Sequence, residues 1–260
     1  MSKENYWKYY CDFDVPCGGL SVSPKCVRLI DWEKFAPIAN EVFKINDEYL
    51  TKRLKLKDVE LFDYVVDYML DFAEANYGQK ELGLILLASM FQLAYRLPIE
   101  PMIKKENGES YLCFMINNNE DDLISYKNYR EVREVIMEQS LIYEPIVAPN
   151  KKSQDAIDKA IERMRNSGSN VETNLESMII LVSKTRTITE DYTYYQLMAD
   201  YEMVIRLDQY RALPTYRAVG ADVPNMNLGE ILDMHRDPYS ADVMFKRNDR
   251  AKDAEKLKGN

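Results

Sequence analysis

His235 is the single histidine of the chain, so any chemistry that needs an imidazole must pass through it. Glu230-x4-His235 and Asp233-x-His235-x-Asp237 offer the donor types that hold a divalent metal. One imidazole among flexible carboxylates is a poor zinc set, however, and His235 is read as a surface or capping residue. A Ser-His-Asp or Cys-His relay would also have to use this residue. No enzyme is expected, and a His235→Ala variant is the test, since lost activity would reverse that reading. Acidic pairs such as Asp121/Asp122 and Asp63/Asp67 have the spacing for acid/base work. Among 43 acidic residues such pairs arise by chance, and both are assigned to solvated faces. Cys11, Cys17, Cys26 and Cys113 contain no C-x-x-C. They are expected to be reduced cytosolic thiols that bind no zinc.

Two further stretches carry a ligand reading beside a plainer one. Gly18-Gly19 can cradle a phosphate, but neither G-x-x-x-x-G-K nor G-x-G-x-x-G is present. A turn needing φ > 0 is expected there. Asn117 to Asp122 has oxygens for Ca²⁺ without the D-x-D-x-D-G-x5-E order, and a solvated loop is expected. No cofactor or metal is assigned. The side chains with the best claim to a contact role are aromatic. Tyr6, Trp7, Tyr9 and Tyr10 cluster at the N-terminus, and Tyr194 and Tyr201 lie on a late helix. Tyrosine and tryptophan pair an apolar ring with a wet polar tip, as interfaces require. Ordinary core is the competing reading for the late stripe.

The elements that must position these groups are mostly helices. Thr173-Asn174-Leu175-Glu176 reads as a capping box. Behind it, Leu175, Met178, Ile179 and Val182 share one face. Thr187-Ile188-Thr189-Glu190 reads as a second box. It opens a helix to about Ala212, stopped by Pro214, with Tyr194, Leu197, Met198, Tyr201, Val204 and Ile205 in a stripe. So short a connection folds the two helices into a hairpin. Upstream, Asp31 is expected to cap a helix to Phe43, interrupted or offset by Pro37. Lys57–Tyr77, stopped by Gly78 and with Val59, Phe62, Val66, Met69 and Ala73 inward, pairs with the apolar Gln79–Arg96. Tyr126–Gln139 and Ser153–Arg165 are further helices, and a short one is expected over Leu228–His235. Met102 to Ile116, turning at Asn107-Gly108, is a β-hairpin with a type I′ turn. Leu20–Ser23 is expected to pair with Lys25–Leu29 as a second one.

The fold class is therefore α+β, helix-dominated, roughly 55–60% helix, which is above the usual share. Helical hairpins are joined by one or two small antiparallel β-hairpins in the N-terminal half. Three regions are expected: an α+β domain over 1–150, a helical domain over 151–245, and a charged basic tail over 246–260. The boundary is set by the linker-like Asn150–Ser153.

The chain has 260 residues, 46% hydrophobic and 30% charged, with net charge −9. That supports a packed core and opposes broad nucleic-acid binding, which needs clustered Lys and Arg. The tail from Lys246 to Asn260 has six bases against three acids, so it is +3 and the rest of the chain −12. It suits docking on an acidic partner, or it is simply a frayed terminus. The most apolar run, Leu82 to Ala94, is too short for a bilayer, which takes about 20 residues. A buried helix and no membrane association are expected.

Three places carry a family resemblance. They are Asp14-Val15-Pro16-Cys17-Gly18-Gly19-Leu20-Ser21-Val22-Ser23-Pro24 before a helix, the central Tyr129-Arg130-Glu131-Val132-Arg133-Glu134-Val135-Ile136-Met137-Glu138-Gln139-Ser140, and the late pattern Leu175 to Ile179, Tyr195 to Leu197 and Arg206 to Tyr210. In order and spacing the chain resembles tail-morphogenesis proteins of tailed bacteriophages of Gram-positive hosts, of the tail-assembly-chaperone and baseplate-assembly type. Ser23-Pro24 departs from that pattern, where an aromatic is expected. The resemblance implies a non-enzymatic protein that binds phage tail or baseplate components, or its own copies, in the host-cell cytoplasm. The alternatives are a permanent virion protein of the tail, baseplate or neck, and an inhibitor or adaptor of a host protein.

Overall fold

The computed structural model describes residues 6–56, 59–106, 108–148, 150–166 and 174–218. It is 57% helical, with one small antiparallel sheet in the N-terminal half, so the helix-dominated α+β class holds. The core is built on a helical hairpin. Helix α3 (Leu61–Tyr77; α1 and α2 precede it at Tyr6–Tyr10 and Trp32–Phe43) turns inward Leu61, Phe62, Val65, Val66, Met69 and Ala73. Its stop is Gly78, whose φ of +71° lets its N–H reach Glu74 O at 2.9 Å. The helix begins four residues later than Lys57, because Glu60 is extended at its N-cap. Val59 thus falls outside it and is exposed.

Helix α4 (Leu82–Tyr95) returns against α3 and is shorter at both ends than Gln79–Arg96, since Arg96 is left-handed at φ +55°. Close approach depends on Gly83. A Cβ there would lie 2.4 Å from Met69 O. No helix among the described residues is long and apolar enough to cross a membrane.

Strands β1 (Ile99–Glu106), β2 (Glu109–Ile116) and β3 (Asn119–Ile124) form an antiparallel sheet in that order. The β1–β2 turn is where the Asn107-Gly108 signal placed it: Glu106 faces Glu109 and Gly108 has φ +86°. Asn107 itself lies outside the described residues. The expected loop over 117–122 is instead a second tight turn followed by a strand. Asn117 and Asn118 take φ of +52° and +56°, as asparagine tolerates, and residues from Asn119 onward pair with β2. Phe114 of β2 meets Phe91 at 5.3 Å and Phe62 at 6.1 Å between ring centroids. Helix α5 (Tyr129–Gln139) closes the core with Tyr129, Val132 and Ile136.

The hairpin expected at Leu20–Leu29 does not form. Pro24 intervenes, and the backbone after it finds other partners. Lys25 N donates to Ala94 O at 2.7 Å, and Leu29 N to Tyr192 O at 2.8 Å. Tyr194 N donates to Val27 O at 2.9 Å, around a bridge between Arg28 and Thr193. Asp31 does not cap α2 with its side chain, because Arg28 Nε holds that carboxylate at 2.9 Å. Pro37 lies inside α2 without ending it.

Helix α6 spans Lys151–Asn166, α7 Leu175–Ser183 and α8 Tyr194–Ala218. The last two form the expected hairpin around Val182 and Leu197, but both caps differ. Asn174 caps α7 by accepting from Ser177 N at 2.8 Å, and Thr173 lies outside the described residues. The working box of α8 is Thr193-Tyr194-Tyr195-Gln196. Thr193 Oγ1 accepts from Gln196 N at 3.1 Å, and Gln196 Oε1 from Thr193 N at 2.9 Å. The helix runs past Pro214 to Ala218.

Candidate functional site

The N-terminal aromatics occupy opposite sides of a short anchored element. In α1 the helical spacing turns Tyr9 inward and Trp7 outward. Tyr9 is 1% exposed. Its hydroxyl donates to Glu138 Oε2 at 2.6 Å, and its ring meets Tyr195 edge-on at 5.7 Å. Tyr10 is half-buried. Its hydroxyl donates to Asp200 Oδ1 at 3.0 Å, and its carbonyl accepts from Gln196 Nε2 at 2.8 Å. Asp200, buried on α8, also accepts from Tyr192 Oη at 2.6 Å, with Arg186 Nε at 3.6 Å. Burial, then the bond to Asp200, raises the pKa of both Tyr10 and Tyr192. The phenols therefore stay protonated donors to one buried carboxylate.

On the outer side, Trp7 is 57% and Phe13 52% exposed, and the rings meet edge-to-face at 5.6 Å and 85°. The chain between them is fixed by Cys11 N to Trp7 O at 3.0 Å and Phe13 N to Lys8 O at 2.8 Å. Asp12 is left-handed at φ +56°, and its carboxylate meets Arg96 Nη1 at 2.7 Å. Exposed aromatic surface thus rests on an ordered base, a lower entropic cost for binding than a floppy one. Phe13 was missed in the sequence, where only Tyr6, Trp7, Tyr9 and Tyr10 mark the N-terminal aromatic cluster.

The other aromatic candidates lie elsewhere. Tyr194 stacks on Trp32 at 3.5 Å with rings 3° from parallel. Tyr201 packs on the Val182–Leu197 cluster of the α7–α8 hairpin. The side chain of Tyr6 is outside the described residues.

The chemical candidates resolve as follows. Gly18 and Gly19 take φ of +62° and +67°, as a turn requires, and the Gly18 N–H is occupied by Glu131 Oε2 at 2.8 Å. Asp63 and Asp67 are exposed on α3. Burial, then Glu60 and Asp67, raises the Asp63 pKa. Asp122 departs from its solvated reading: it is buried, accepting from Ser21 N and Asn119 Nδ2, each at 2.6 Å. The carboxylate thereby ties β3 to the N-terminal turn. The four cysteines are unpaired, Cys11 exposed and the others buried. Burial raises the Cys17 thiol to about 11. Among the described residues no three His, Cys, Asp or Glu side chains group to hold a metal. His235, Glu230, Asp233, Asp237, the Leu228–His235 helix and the 246–260 tail lie outside the described residues.

A cleft of about 570 Å³ opens beside α5. Its two arginines are engaged. Arg130 meets Asp47 at 3.0 Å and Glu60 at 3.2 Å. Arg133 pairs with Glu144 and donates to Phe43 O and Ile45 O at 3.0 and 3.1 Å. The buried Arg133 was missed in the sequence, where the signal is its place at i+4 from Tyr129, beside Val132, on the apolar face. Comparison with known proteins returns no matching family model, no matching curated protein and no matching solved structure.

Proposed function

We propose that the chain is a non-enzymatic docking protein, an assembly factor of the phage tail-morphogenesis type that holds tail or baseplate components. The observation that carries the docking role is the Trp7–Phe13 pair, two exposed aromatic rings on an anchored base. Large rigid aromatics are the side chains that most often dominate binding energy at interfaces. The phage setting comes from the sequence resemblance alone.

The test has two arms. Mass spectrometry of purified phage particles and of the lysate that produced them places the chain. Co-purification with a tail protein in lysate only is the result expected of an assembly factor. Stoichiometric presence in particles would make it a structural subunit instead, and presence in neither removes the phage setting. In the second arm, Trp7→Ala/Phe13→Ala keeps the wild-type circular dichroism, since both rings are exposed, and weakens binding of the co-purified partner at least tenfold. Unchanged binding refutes the docking role of this pair.

A further inference from the structure

The segment following α2 presents a surface opposite in character to the acidic body. Residues 51–56, Thr-Lys-Arg-Leu-Lys-Leu, are all exposed. They end a wide helical turn at Tyr49–Leu54, and Lys55 is left-handed at φ +60°. Leu54 and Leu56 stand in solvent between Lys52, Arg53 and Lys55. Lys52 pairs with Glu48 at 2.7 Å. Arg53 and Lys55 have no ion-pair partner among the described residues.

Beside this segment lies a groove of about 230 Å³. Tyr49, Ile45, Pro145, Ile146 and Val147 give it apolar walls, and its charged lining residues are Lys44 and Arg53, with no carboxylate. The volume is below that of a usual small-molecule site and suits one large apolar side chain. The walls are pinned. Gln154 of α6 holds the extended segment through Ile146 O at 3.3 Å and Ala148 N at 2.9 Å. Lys44 bonds Glu41 and sits 5.0 Å over the Tyr68 ring, whose hydroxyl donates to Glu41 at 2.8 Å. Such preorganisation spares ordering cost on binding.

Charge decides the occupant. The chain carries −9, yet at physiological salt the Debye length is about 8 Å. Lys44 and Lys52 are neutralised by Glu41 and Glu48, so a bound segment responds to the unpaired charges of Arg53 and Lys55 rather than to the more distant acids. We infer that this groove docks a linear acidic peptide of a partner protein. One large apolar side chain seats between Tyr49 and Val147, and flanking Asp or Glu pair with Arg53 and Lys55. The inference rests on reading the chain as a docking protein and assigns it a second contact surface with a defined partner chemistry.

The probe is a fluorescein-labelled peptide, Asp-Glu-Asp-Leu-Phe-Glu-Asp-Glu, followed by anisotropy with the full chain. Three results are expected together. The wild type binds; Arg53→Glu/Lys55→Glu loses at least tenfold with unchanged circular dichroism; and the peptide with Ser for Leu and Phe loses at least tenfold. Trp7→Ala/Phe13→Ala keeps wild-type affinity for the probe, so failure here and failure of the N-terminal docking role are separable. Absence of binding overturns the inference, as does indifference to Arg53→Glu/Lys55→Glu or to the Ser-substituted peptide. So does capture of phosphatidylserine vesicles by wild type, lost in Arg53→Glu/Lys55→Glu, when the peptide is ignored. That outcome would make the segment a membrane-surface contact.

Discussion

Gly83→Ala probes the packing of α3 on α4, on which the core depends. The added Cβ would lie 2.4 Å from Met69 O, 2.6 Å from Met69 C and 2.7 Å from Leu70 Cα. All three are backbone atoms, so no change of rotamer relieves the clash. Ordinary contact begins at 3.4 Å, and moving from 2.4 to 3.4 Å displaces the start of α4 by about 1 Å in a close-packed interior. Overpacking of this kind costs about 1–3 kcal/mol, and the upper end applies because Leu87, Met90 and Phe91 of α4 move with the backbone. Against this stands the better helix propensity of alanine, at most about 1 kcal/mol, and less in the first turn where Gly83 sits. The net loss is about 2 kcal/mol, or a fall of roughly 4–8 °C in melting temperature for a chain of this size. Thermal unfolding followed by helical circular dichroism measures it. Gln92→Ala, at an exposed position on the same helix, serves as control and stays within about 0.5 kcal/mol of wild type. A Gly83→Ala protein that melts at or above wild type would refute the close approach.

Arg133→Ala strips the buried guanidinium from Glu144 and from the carbonyls of Phe43 and Ile45. Glu144 is half-exposed and stays hydrated, so the loss expected in urea unfolding is about 1–3 kcal/mol, from the carbonyls left without their donor, and Arg133→Lys restores only part of it, lacking the planar fork. Iodoacetamide labels Cys11 alone in the native protein and all four cysteines in urea, read by peptide mass spectrometry, because Cys17, Cys26 and Cys113 are buried. Burial raises the Cys17 thiol from 9.0 to about 11. Its stability contribution is thus complete below pH 9 and lost as pH rises through about 11, so Cys17→Ala flattens the decline of stability measured across that range.

The sequence was most legible where one residue type forces one backbone state. Gly78 ends α3 because a left-handed C-cap suits glycine, and Gly108 marks the β1–β2 turn for the same reason. Legibility fell where two local signals competed. Asn117 and Asn118 resemble any hydrophilic loop, yet asparagine tolerates φ > 0, and the pair makes a tight turn that sends Asp122 into the core. Threonines at 187, 189 and 193 all precede a helical pattern, and Thr187 and Thr189 each have a Glu or Asp nearby. What selects Thr193 is tertiary: its neighbours Tyr192 and Tyr194 give their backbone groups to Leu29 and Val27, which fixes where α8 can start.

The candidate sites were legible only in part, and the reason lies in side-chain direction. Composition marks Tyr6, Trp7, Tyr9 and Tyr10 as one aromatic group. Two residues, a little over half a helical turn, separate Trp7 in solvent from Tyr9 in the core, and the choice between them is made by Glu138, far along the chain. Phe13 joins Trp7 only because left-handed Asp12 folds the backbone back on α1. The groove beside Tyr49 has the same origin. Its cations, Ile45 and Tyr49 come from one region of the sequence and the facing apolar wall from 145–147, so no local pattern contains it. A catalytic or metal site announces itself through scarce residue types at fixed spacing. A docking surface is made of common residues, and it becomes visible only once long-range bonds such as Tyr9–Glu138 and Tyr10–Asp200 show which common residues are left facing out.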